Sequence, residues 1–95
     1  MAKDEINGHL RAIVENLREN RPVAGLVEVV AEEIRAVSLK DNIRRLGMSD
    51  LAGERRVNDT LYHAISELES ISSDPHNAVY HAEEALRYWE SVTKG

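Results

Sequence analysis

Two of the chain's four histidines precede a glutamate at helical spacing: His63 precedes Glu67 by four residues and His81 precedes Glu84 by three. Such separations put both side chains on one helix face, where they could share a metal ion or a proton. A metal centre in a helical bundle asks for more. The carboxylate-bridged centres use Glu-x-x-His in the opposite order, aimed inward, with further glutamates from the other helices. Here both histidines sit next to an alanine of an apolar seam, Ala64 or Ala82, and are expected to project outward as surface groups. With no cysteine in the chain there is no thiolate ligand either, so neither a metal nor a cofactor is expected. Glu28, Glu32 and Glu33 would need a matching acidic motif on a second helix to chelate an ion, and they read as the polar face of a helix.

The cationic side chains are concentrated. Between Arg35 and Arg56 lie six basic residues against Asp41, Asp50 and Glu54, a local +3 in a chain of net charge −5, leaving −8 elsewhere. An acidic whole disfavours general nucleic-acid binding, which draws on neutralised phosphates, yet Arg44, Arg45, Arg55 and Arg56 form a strip that could hold one anionic ligand, a nucleotide or nucleic acid. Leu39 to Asn58 can be drawn as a helix-turn-helix with Gly47 in the turn, but Ile43 is bulky where the helices must approach and Gly53 falls on a packed position. Arg56 and His63, six residues intervening, resemble the Arg and His pair of the helical ribonuclease family called HEPN. That resemblance covers eight residues and implies an active site built on those two side chains. With nine arginines and four histidines in 95 residues, about one such spacing arises by chance. No glycine-rich phosphate loop and no serine, histidine and carboxylate set accompanies it, so the chain is expected not to be an enzyme.

One short word is written twice, Tyr62-His63-Ala64 and Tyr80-His81-Ala82. With Val57, Leu61, Ala64, Leu68 and Ile71 as one seam and Val79, Ala82, Leu86 and Trp89 as the next, each alanine falls inside and each tyrosine and histidine outside. In a chain with three tyrosines, one tryptophan and no phenylalanine, aromatic rings left off the seam point to a contact surface. Tyr62, His63, Tyr80, His81 and Tyr88 are its expected members, joining a second copy of the chain or another protein. If the histidines are neutral when covered, that contact weakens on acidification through about pH 6.5.

The elements that would position these groups are all helical. Ile6, Leu10, Ile13 and Leu17 step through a helix from Asp4 to Asn20, ended by Pro22. The next helix begins at Pro22 and is the most apolar, from Val23 to Leu39, which predicts a central position. A capping pattern at Ser38 to Asp41 allows a break there, with a restart through Ile43 and Leu46. Gly47 and Ser49-Asp50 separate it from a third helix, Asp50 to Ser72. Ser72-Ser73-Asp74-Pro75 opens the fourth, Pro75 to Val92. No stretch alternates with period two.

Ninety-five residues, 42% apolar and 31% charged, are those of one folded domain spanning 1–95, expected as an all-α, small antiparallel bundle of four main helices. The charged start Lys3-Asp4-Glu5 and the want of any roughly 20-residue apolar run predict a cytoplasmic protein without anchor or leader. The expected role is a small acidic binding or regulatory module acting as a homo-oligomer, with an anion-binding regulator of phage or antitoxin type as the alternative.

Overall fold

The computed structural model describes the backbone of residues 3–37 and 51–93, with side chains from 4–37 and 56–93. The described residues form an all-α, bundle-like fold. Its α-helices are α1 (Lys3–Arg18), α2 (Ala24–Val37), α3 (Leu51–Ser73) and α4 (Ala78–Thr93), with a single 3-10 turn at Pro75–Asn77 between α3 and α4. In space the helices follow one another in a ring, α1 on α2, α2 on α3, α3 on α4, and α4 back on α1. Each contact carries a cross-helix polar pair. His9 meets Glu33, Arg35 meets Glu69, and Arg11 and Arg18 meet Glu90 and Glu83. Across α3 and α4, His63 meets Tyr88 and Glu67 meets His81, so residue numbers rise in one helix as they fall in the other.

Apolar periodicity decides which faces turn inward. Ile6, Leu10 and Ile13 of α1, Val30 and Ile34 of α2, Leu61, Ala64 and Leu68 of α3, and Ala82, Ala85 and Trp89 of α4 form one core, all essentially inaccessible to water. In the third helix Leu61, Ala64, Leu68 and Ile71 are buried as the spacing predicts, Val57 is only partly so, and Ile65 joins them from beside the seam. In α4 the inner stripe is Ala82, Ala85 and Trp89, with Leu86 only partly covered, because α4 must face α1 as well as α3 and its buried arc turns accordingly. The second helix is not central. It packs against α1 and α3, Ala24, Gly25 and Ala36 are exposed, and Val29 is 51% exposed; its surplus of apolar residues lies outside.

Helix α1 stops earlier than proline alone would require. Asn20 takes a positive φ of 59°, its N–H donates to the Leu17 carbonyl at 3.2 Å, and the Arg21 N–H reaches back to the Asn16 carbonyl at 2.7 Å. This left-handed closure satisfies carbonyls that the helix end would otherwise orphan. Helix α2 then begins at Ala24, the Val23 carbonyl accepting from the Val27 N–H at 2.8 Å. Asparagine tolerates left-handed geometry and alanine does not, so Asn20→Ala is expected to cost about 1 kcal/mol. In a domain of this size that lowers Tm by about 4–8 °C in a thermal scan, with Asn20→Gly at or above the parent value; equal loss in both variants would mean that the asparagine amide, and not its backbone, matters.

The possible break at Ser38, the restart through Ile43 and Leu46, Gly47, Arg44 and Arg45, and with them most of the helix-turn-helix reading, lie outside the described residues, as does the side chain of Arg55. None of the described helices is long and apolar enough to cross a membrane.

Candidate functional site

The groups of greatest chemical interest gather along the α3–α4 contact. Asp74 stands in the connection between the helices, where a capping role is expected of it, yet it makes no side-chain cap bond. Its carboxylate instead accepts from His81 Nε2 at 3.0 Å and from Asn77 Nδ2 at 3.0 Å. On the other side of the same imidazole, Nδ1 lies 2.6 Å from Glu67 Oε1. His81 is thus turned into the α3–α4 groove, its side chain 14% exposed, and does not project outward. The inward turn follows from its place on α4, one residue before Ala82 on the flank that meets α3.

An imidazole flanked by ionised carboxylates at both nitrogens must donate from both, which requires the imidazolium form. The bond to Asp74, followed by that to Glu67, raises the His81 pKa above its ordinary 6.5. The same bond, with help from Asn77, lowers Asp74 below its ordinary 3.8. The condition for weakening on acidification, a neutral covered histidine, is therefore not met at His81. Glu67 and Asp74 hold opposite edges of the ring and do not converge on a point; among the described residues no group of three or more His, Cys, Asp or Glu is placed to hold a metal ion.

Further along the groove, His63 stacks on Tyr88 with centroids 5.5 Å apart and planes 25° from parallel. The Arg87 guanidinium lies 4.9 Å from the Tyr88 centroid and grips Glu84 through two bonds, Nε to Oε2 at 3.0 Å and Nη2 to Oε1 at 2.7 Å. That grip lowers the Glu84 pKa and makes Arg87, not His81, the partner of Glu84. Tyr80 touches His81 edge-on at 5.4 Å and is otherwise open.

Of the five aromatic and histidine residues singled out in the sequence, the structure thus brings His63 to Tyr88 and Tyr80 to His81. Tyr62 lies about 100° around α3 from His63, on the flank that carries Glu69 and faces α2. Tyr62 and Tyr80 are 60% and 57% exposed, and with Val29 they are the exposed large apolar side chains among the described residues. Arg56 is exposed and shares a stripe of α3 with His63, two turns away.

Sequence reasoning missed Glu67 and Asp74 as partners of His81. A carboxylate seven residues before a histidine, in a proline turn, was the available signal. Elsewhere a half-open groove of about 700 Å³ separates α2 from α3, floored by Val23, Val27 and Leu68 and edged by Glu28, Glu32 and Glu69, with Arg35 bonded to both Glu32 and Glu69.

In comparison with known proteins, the chain matches no family model, no curated protein and no solved structure.

Proposed function

We propose that this chain is a protein-binding module, not an enzyme, that works by pairing with a second copy of itself through the outer face of α3 and α4. The observation that carries this reading is the fate of the repeated word. In both helices alanine is buried, tyrosine is more than half exposed, and histidine lies on the flank between, so the hairpin presents similar aromatic shoulders at two edges. Large, stiff, amphipathic rings gain contact area at low entropic cost, and they are enriched where surfaces meet. A second copy is favoured over a strongly charged partner by the mixture of signs along this face. Exposed Arg56 and Arg87 share it with the partly covered Glu67 and Glu84, and such a mixture complements its own reverse better than a surface of one sign.

Analytical ultracentrifugation of the parent chain and of the Tyr62→Ser, Tyr80→Ser double variant tests this. The parent is expected to sediment as a defined oligomer. The double variant is expected to fall to a lower assembly state with unchanged helicity, each exposed tyrosine costing the fold no more than about 0.5 kcal/mol. A parent that is monomeric throughout, or an unchanged oligomer in the variant, overturns the proposal.

A further inference from the structure

We infer that Asp74, His81 and Glu67 form a proton-operated latch that holds the α3–α4 connection against the body of α3 when His81 carries two protons and lets go of one carboxylate when it carries one. The geometry supplies the mechanism. Glu67 belongs to α3, Asp74 to the connection and His81 to the first turns of α4, so one ring ties three successive pieces of chain. While both nitrogens carry hydrogen, both carboxylates are bonded. Loss of one proton leaves a single N–H and turns the other nitrogen into a lone pair facing a carboxylate oxygen, a contact between two acceptors. One arm must then open, whichever tautomer remains.

The other polar and charged groups around the ring do not offer a substitute donor. On α4, Glu84 is an acceptor and is engaged by Arg87. In the connection, Asn77 already donates to Asp74, and His76 acts on Asp74 through space without a hydrogen bond to it. Tyr80 meets the ring through its edge. On α3, Glu67 is the group that faces the imidazole. An opened arm therefore leaves a carboxylate to water, and it loosens the short Pro75–Asn77 turn that leads directly into Tyr80.

The direction of the pH response follows. His81 binds its proton more tightly folded than unfolded, so its contribution to stability is complete below pH 6.5 and is lost as pH rises through the higher folded value. Asp74 binds its proton less tightly when folded, so its contribution is complete above pH 3.8 and is lost as pH falls through the lower folded value. The latch is closed between these limits and opens on the alkaline side. Any effect on self-association, through Tyr80, rests on the function proposed above; the latch itself does not.

The test is an NMR titration of the His81 ring and of the backbone amides in the full chain, in the parent, Asp74→Asn and Glu67→Gln proteins. The expected result is a His81 midpoint above 6.5 in the parent that moves down in both variants, with the amides of Glu67 and of 74–78 shifting at the parent His81 midpoint. A parent midpoint at or below 6.5, no movement in either variant, or amides at 67 and 74–78 that ignore the His81 titration overturns it. Both variants alter partly exposed carboxylates, and urea unfolding of His81→Gln against the parent gives a second readout: the stability gap must narrow as pH rises above 6.5, and a gap independent of pH overturns the latch. A monomeric chain with the expected titration overturns the contact surface alone; an oligomer whose His81 titrates at its ordinary value overturns the latch alone.

Discussion

Replacing Trp89 by alanine is expected to remove about 3–5 kcal/mol of stability, a large share of what a domain of this size has, while Trp89→Phe removes much less. Trp89 is fully buried and is the largest side chain of the core. Its loss subtracts both the transfer energy of the ring and the contacts of every residue that lines the void. The indole N–H is buried and finds no acceptor among the described residues. An unpaired buried donor costs about 1–3 kcal/mol, so phenylalanine relieves that cost while leaving a smaller void. Urea unfolding at fixed protein concentration measures both, followed by far-UV circular dichroism because the chain's one tryptophan is the residue replaced. A phenylalanine variant as unstable as the alanine variant would show that the N–H is worth keeping, and so that it has a partner.

The second large effect is expected where the repeated alanines lie. Ala64 and Ala82 are 0% and 1% exposed, and a side chain that ends at Cβ allows α3 and α4 to approach closely. Ala64→Leu and Ala82→Leu each push extra methylenes into space already filled, at about 1–3 kcal/mol apiece. Ala82→Leu is expected to act on its neighbour as well, because any spreading of the helices draws His81 away from Glu67. Its signature is a loss of stability together with a fall in the His81 titration midpoint. If either leucine is accommodated without loss, the α3–α4 contact contains a void there, and the reason for the alanines is not packing.

The fold was legible in the chain to the extent that burial alone decides it. Leu61, Ala64 and Leu68 fall on the core because a three-and-four spacing leaves them no other face, and Ile6, Leu10 and Ile13 do likewise. What could not be read depends on which neighbour a flank meets. Ala85 in place of Val79 on the inner stripe of α4 follows from α4 serving two partners, and periodicity within one helix does not report that. Helix α2 looked central because Val29 and Ala36 were counted as buried, although apolar residues also occupy outer faces. At the candidate site, the inward alanine and outward tyrosine of each word were readable from register. The role of His81 was not, because Glu67 is fourteen residues away and Asp74 looked like a helix cap before its carboxylate was seen to turn elsewhere.

The cross-helix polar pairs have a consequence for chirality. Four helices in a ring with the same inward stripes can be wound in either sense, and an apolar core is nearly indifferent to the choice. Winding this chain the other way would set the Glu69 flank of α3 beside the flank of α4 that bears Glu83 and Glu90, and the Glu33 flank of α2 beside the flank of α3 that bears Glu67. Pairs worth little individually in water thereby distinguish the native bundle from its mirror topology, in which carboxylates would face carboxylates. The surface charges of this protein hold less of its stability than of its handedness.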